Sequence, residues 1–227
     1  MLLRICAATA AGALATQLAV AATTFVGTDV TATAFGADGP YTNSSAAETA
    51  FLGALASSTT EGFESFAAGS SLPLSVAFGT LSGGGSVITD TTFGDTAAAV
   101  GSQAFDSGGA VGGGGNFTFN LTTSANSFGA YYNDVGNIGN TLTFNLNGSI
   151  MAQFTVPSGG SSDMTYFGVL AGFTFNQIVF SSTISGDSNV LDNVTVGMAA
   201  NVIPLPTAAG LASLGLLGLC VRRRRLA

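Results

Sequence analysis

The 227-residue chain has no lysine, no histidine and no tryptophan, and its two cysteines and five arginines sit only at its ends. Arg4 and Cys6 lie near the start, and Cys220 with Arg222, Arg223, Arg224 and Arg225 lie near the finish. Residues 22–201 therefore carry no basic side chain and no thiol. All 12 acidic residues fall in that interval, so its formal charge is −12, against −7 for the whole chain.

Each absence removes a class of chemistry. Without histidine there is no Ser-His-Asp triad and no Cys-His pair. Without histidine and cysteine the usual zinc and transition-metal ligands are missing. Without lysine or arginine nothing clamps a phosphate, so Gly83-Gly84-Gly85 and the run Gly112 to Gly115 read as turns and not as phosphate loops. No disulfide framework is available, and about 180 residues can bury enough core to do without one. An acidic, cation-free surface repels anionic polymers, which leaves nucleic acid off the list of expected partners.

What the middle lacks, the ends supply. Arg4 precedes an apolar run from Ile5 to Ala22, and Ala19-Val20-Ala21 places small residues at −3 and −1 of a cleavage site. That is the pattern of a signal peptide over residues 1–22, handled by the general secretion machinery and signal peptidase. At the other end, Val202 to Val221 is a 20-residue stretch without a charged side chain. Pro204 and Pro206 do not fit a helix interior, so a helix of about 15 residues is expected from Thr207 onward. A transmembrane helix followed by Arg222–Arg225 keeps the C-terminus in the cytoplasm and everything before it outside. A plain membrane anchor would carry the same signals.

Between the ends, residues 23–43 are Thr-, Ala- and Gly-rich and read as an N-terminal extension. Ser45-Ala46-Ala47-Glu48 reads as a capping box opening one short helix near Ala46–Ala56, with Phe51, Leu52 and Leu55 on one face. From Phe63 onward apolar residues alternate with Thr, Ser and Asn, as in Phe117–Leu121, Phe128–Tyr132, Leu142–Leu146, Ile150–Val156, Phe173–Phe180 and Val190–Val196. Gly, Asn, Asp and Ser clusters separate these segments, which predicts an all-β, jelly-roll-like β-sandwich over residues 44–198. In TLTFNL-NGS-IMAQFTV, opposing Leu146 to Ile150 keeps one buried face, so a three-residue loop or an equivalent bulge is expected. Phe144 then points inward, and Thr143 points outward, where a charge would be tolerated.

The ordered set of signal peptide, Ile203-Pro204-Leu205-Pro206, short Leu/Gly/Ala-rich helix and terminal arginines over residues 202–227 resembles the PEP-CTERM class of bacterial exported proteins. Leu205 stands where the class name implies Glu, so the tail is similar to the Val-Pro-Leu-Pro-Ala variant, with Ile203 and Thr207 at its two ends. The resemblance implies a membrane-embedded processing protease of the exosortase type as partner. It also implies transient anchoring in the inner membrane, followed by the cell surface or the exterior. In the middle, Thr60-Glu61-Gly62-Phe63-Glu64-Ser65-Phe66, Ser127 to Asp134, Tyr166-Phe167-Gly168-Val169 and Leu191-Asp192-Asn193-Val194 occur in an order that resembles the β-sandwich ectodomain of that class. That ectodomain is itself similar to galactose-binding-like and carbohydrate-binding jelly rolls, and the resemblance spans residues 44 to 197. It implies a structural calcium held by Glu64 and Asp192 with backbone carbonyls, against the plain reading of two solvated acids at strand ends.

Two function classes remain. One is a non-catalytic exported protein of the surface or extracellular matrix. The other is a carbohydrate-binding module acting on exopolysaccharide, for which Tyr41, Tyr131, Tyr132 and Tyr166 are the available polar aromatics and the 17 phenylalanines read as core. A glycosidase would need two carboxylates across a sugar cleft, and the missing tryptophan argues against it. The ends generate the first test. Intact mass of the external protein is expected to show loss of about 22 residues at the N-terminus and about 20 at the C-terminus. A membrane-bound chain retaining Arg225 would reduce the tail to an anchor.

Overall fold

Alternating segments become strands because a pleated chain sends successive side chains to opposite faces, one apolar and one polar. The computed structural model describes residues 22–30, 41–89, 98–107, 116–133, 141–157, 160, 163–181 and 189–200. The signal-peptide and sorting-tail assignments, with Pro204, Leu205, Pro206 and Arg222–Arg225, lie outside the described residues. The elements are β1 (Ala22–Asp29), α1 (Thr42–Gly53), β2 (Leu55–Glu61), β3 (Leu74–Val76), β4 (Gly79–Gly83) and β5 (Ser86–Thr89). They continue with β6 (Gln103–Asp106), β7 (Phe117–Asn133), β8 (Thr141–Leu146), β9 (Ser149–Thr155), β10 (Met164–Ser181) and β11 (Val190–Ala199). Among the described residues, 11 strands form one antiparallel network in one compact unit.

Two long strands give the network its shape. The first part of β7, Phe117 to Leu121, pairs with β4 and with Gln177–Phe180 of β10. The last part, Ser127 to Asn133, pairs with Met164–Leu170 of β10 and with β11. Register shifts between Leu170 and Gln177 mark where the pairing changes over. One wing thus holds β1, β10, β7 and β11, with β2 and β6 sharing the outer edge of β11. The other wing holds β3, β4, β8 and β9 around the remaining halves of β7 and β10.

The wings face each other across a phenylalanine core. The Phe128 ring of the first wing lies 5.9 Å from Phe144 and 6.2 Å from Phe119 of the second. Phe117 stacks on Phe180 at 4.6 Å, and Phe63 and Phe105 close the same cluster. Aromatic rings bury large apolar area with few rotatable bonds, so a chain with 17 phenylalanines packs such a core at low entropic cost.

The β8–β9 hairpin keeps its buried face by the second of the two expected routes, a bulge, and not by a three-residue loop. Asn147 (φ 49°) and Gly148 (φ 81°) make a two-residue turn, so Leu146 opposes Ser149 and not Ile150. A bulge between Phe144 and Asn145 then restores the pairs Phe144–Ala152 and Leu142–Phe154. Asn and Gly accept the left-handed conformations that such a turn requires, and the bulge corrects the face. Ile150 is left 65% exposed. Thr143 is buried on the opposite face, where the Gln153 amide donates to its hydroxyl, so a charge there would not be tolerated as the alternation suggests.

The helix also differs from expectation. It begins at Thr42, its N-cap residue Tyr41 makes no side-chain capping bond, and Leu55 belongs to β2. Nor is the first part of the expected 23–43 extension loose chain, because β1 pairs along β10 from Ala22 to Asp29. That pairing delivers Asp29 to the helix start. Asp29 Oδ1 accepts from Asn43 N at 2.9 Å, and Oδ2 from Ser44 N at 2.8 Å and Ser44 Oγ at 2.6 Å. A carboxylate meeting free N–H groups at a helix N-terminus is favoured by hydrogen bonding and by the helix dipole. The acid required is supplied from another element.

Phe51 fixes the helix on the outer face of the first wing. It is fully buried, with ring centroids 5.7 Å from Phe25 and 5.9 Å from Tyr166. Beneath it Gly129 and Gly168 are cross-strand partners. A Cβ at Gly168 would stand 2.8 Å from Phe51 Cδ2, and one at Gly129 would stand 2.9 Å from Phe51 Cε1. The glycine pair is the slot that lets the ring lie on the sheet. Gly129→Ala and Gly168→Ala are each expected to cost about 1–3 kcal/mol by overpacking. Gly53→Ala, whose Cβ would meet nothing within 4 Å, should leave stability nearly unchanged. Chemical unfolding of the three variants checks this, and equal effects at all three positions would remove the slot.

Candidate functional site

The segments singled out by order in the sequence converge at one corner of the first wing. Asp192 pairs in register with Tyr131, and Tyr131 with Tyr166, whose rings stand 5.0 Å apart. The turn following β2 brings in Glu61, Phe63 and Glu64. The helix α1 covers the corner from outside and brings in Glu48.

The acids of this corner hold backbone. Asp192 Oδ2 accepts from Ala99 N at 2.8 Å and Val100 N at 2.9 Å, while Oδ1 accepts from Asn193 N at 2.6 Å. Glu64 Oε1 accepts from Ser102 N at 2.7 Å and Gln103 N at 2.8 Å, and Oε2 accepts from Ser102 Oγ at 3.2 Å. The two carboxylates thus grip one short segment, residues 99–103. Gly101 (φ 79°) sits between the grips, and a Cβ there would stand 2.6 Å from the Glu64 carboxyl carbon. Only glycine suits that position.

Glu48 and Glu61 do the same work. Glu48 Oε2 accepts from Tyr131 Oη at 2.8 Å and Oε1 from Asn193 Nδ2 at 2.6 Å, which ties the helix to β7 and β11. Glu61 Oε1 accepts from Phe63 N at 2.9 Å and Oε2 from Ala77 N at 3.0 Å. Phe63 and Asn193 both have positive φ, 60° and 50°. Strained residues of this kind persist where neighbouring bonds over-determine them, as the two carboxylates do here.

Glu64 and Asp192 were expected to hold calcium, and the structure does bring both to one segment. Calcium needs six to eight oxygen ligands. The oxygens here instead receive the positive ends of N–H and O–H dipoles. Among the described residues no third acid joins them to form a metal-binding group. The donor set fits an N–H cradle and does not fit a calcium shell. Nor are these solvated strand-end acids in the case of Asp192, which is 1% exposed.

The tyrosines do not form a sugar platform. Tyr131, Tyr132 and Tyr166 are buried and Tyr41 is half-buried. Burial pushes all three buried phenols upward in pKa, with Glu48 adding to the effect at Tyr131 and Tyr166. Their rings belong to the interior.

Sequence reasoning missed Asp29, Glu48 and Glu61 as anchors, together with the segment they and their fellows hold. A signal existed for Glu48. Ser44, Ala47 and Phe51 are the buried residues of α1, and their spacing places position 48 beside that inward face. No local signal exists for the grip on residues 99–103, whose partners lie 38 to 93 residues away.

No protein-family model matches the sequence, and no curated protein matches it. Among solved structures, the chain is similar to the K2 cleaved adhesin domain of Lys-gingipain, at 17% identity and a TM-score of 0.44, covering 63% of this chain and 100% of that one. It is also similar to the enzymatically active domain of tailspike protein 4 from bacteriophage CBA120, at 17% identity and a TM-score of 0.27. That match covers 62% of this chain and 19% of that one. Neither likeness is close enough to say what this chain binds or does.

Asp192 provides a test of the corner. Burial pushes its carboxyl up to about 7, the Glu64 charge adds to the rise, and the three N–H donors pull the other way. The unfolded value is about 3.9, so between the two values the native state holds the extra proton. Stability from this group is therefore present at low pH and is lost as pH rises from about 4 towards 7. Asp192→Asn, which keeps one acceptor oxygen for Ala99 and Val100, should flatten that fall in a pH series of unfolding curves. A variant with the wild-type slope would contradict the assignment. Calcium, in turn, is expected to raise the melting temperature no more than sodium chloride of equal ionic strength.

Proposed function

We propose that the chain is a non-catalytic exported protein of the cell surface or extracellular matrix, built as a jelly-roll-like sandwich and sorted through its C-terminal tail by an exosortase-type protease. The observation that carries this reading is the use made of the acids. Acid–base catalysis in a chain without histidine, lysine or cysteine in its folded part has to use carboxylates or tyrosine phenols, and Tyr131, Tyr132 and Tyr166 are buried. Asp29, Glu48, Glu61, Glu64 and Asp192 each accept bonds from backbone or side-chain donors of their own fold. Groups spent in that way hold a shape; they do not face a substrate.

The tail supplies the address. Pro204-Leu205-Pro206 precedes the apolar stretch, and Arg222–Arg225 orient it with the folded part outside. In a host with an exosortase-type system, replacing Pro204 and Pro206 by alanine should trap the protein in the inner-membrane fraction with Arg225 retained. Unchanged release of a shortened chain would contradict sorting through this tail. The carbohydrate-binding reading loses its tyrosine platform, and one other feature of the surface favours it.

A further inference from the structure

Beside β2 and the end of β11, the two wings do not meet along their full length. Thr59 and Val196 are cross-strand partners, and so are Ser57 and Met198. Paired residues share a face, so these four lie on the inner side of β2 and β11. Val196 is buried there, whereas Met198, two residues on, is 39% exposed. The core face runs out from under its cover and leaves a groove of ≈ 230 Å³.

The rims of the groove are hydroxyl-bearing. Ser57, Ser58 and Thr59 line one part, and Thr122, Thr123 and Ser124 line another, with apolar atoms from Phe78, Val196 and Met198. Among the described residues, no charged or amide side chain lines the groove. Hydrogen bonds hold the rims in place before any ligand arrives. Phe78 O accepts from Thr122 N at 3.0 Å and from Thr122 Oγ1 at 3.2 Å, and Glu61 secures Ala77 on the same side. Preorganised rims lower the ordering cost of binding.

From this lining we infer a binding site for one residue of a neutral sugar. Serine and threonine hydroxyls both donate and accept, which matches a ring of hydroxyls around an apolar C–H face. A carboxylated sugar would meet no cation in the groove and a domain with 12 acids and no bases around it. The groove has room for several waters, and so for one sugar unit of a chain passing over the surface. Sugar binding is independent of export, so the site can fail while the sorting reading stands.

The test uses the full chain labelled with 13C-methyl methionine; Met198 lines the groove, Met151 and Met164 lie elsewhere, and Met1 is outside the described residues. Titration with galactose, glucose or mannose should give a saturable shift of the Met198 methyl signal alone, and galacturonate should not. Ser57→Ala with Thr123→Val removes two exposed hydroxyls and should weaken binding about tenfold, as expected for one or two neutral hydrogen bonds. No saturable shift with any neutral sugar, an equal response to galacturonate, or an unchanged affinity in the double variant would each overturn the site. A Met198 shift that follows protein concentration and not sugar would also overturn it, by placing a second copy in the groove.

Discussion

A folded region with 12 acidic side chains and no basic one cannot neutralise its charge by salt bridges. Its carboxylates must either stay in water or find N–H and O–H donors inside the fold. Asp29, Glu48, Glu61, Glu64 and Asp192 take the second course. A bond to a charged acceptor is stronger than its neutral counterpart, and most of these bonds satisfy backbone N–H groups. The same bonds set the joints of the molecule: helix start to β1, helix to sheet, β2 to the β3–β4 turn, and residues 99–103 to β11. Asp29 shows the balance at its best exposed example. Burial raises its carboxyl, the bonds from Ser44 and Asn43 together outweigh that, and the net position is below the ordinary value.

The anchors work because the sandwich places them. The long strands β7 and β10 belong to both wings, so their inner faces build the phenylalanine core and their outer faces carry the helix. Gly129 and Gly168 set the depth at which Phe51 rests, and that depth brings Glu48 within reach of Tyr131 and Asn193. Where the wings part, at β2, no such joint is needed and a hydroxyl-lined groove remains.

The fold class was legible in the alternation of Phe117–Leu121, Leu142–Leu146 and Phe173–Phe180, because one-sided burial writes a period of two into any strand. The β8–β9 turn was legible only in part. Keeping one buried face required a three-residue loop or a bulge, and the choice of the bulge depends on the core around Phe144. The segments containing Glu64, Tyr131 and Asp192 converge at one corner, but a carboxylate looks the same in sequence whether it meets a cation or an N–H group. Asp29 acts on a helix that starts 13 residues later, and Glu64 acts on a segment 38 residues away. Contacts at that separation are set by topology and leave no periodicity to find.

The central claim is that separate carboxylates hold separate amides, and amide hydrogen exchange reads it residue by residue. With Glu64→Ala, Ser102 and Gln103 are predicted to lose protection while Ala99 and Val100 keep theirs. With Asp192→Ala, the loss should fall on Ala99 and Val100 instead. Unchanged protection of all four amides in both variants would contradict the account.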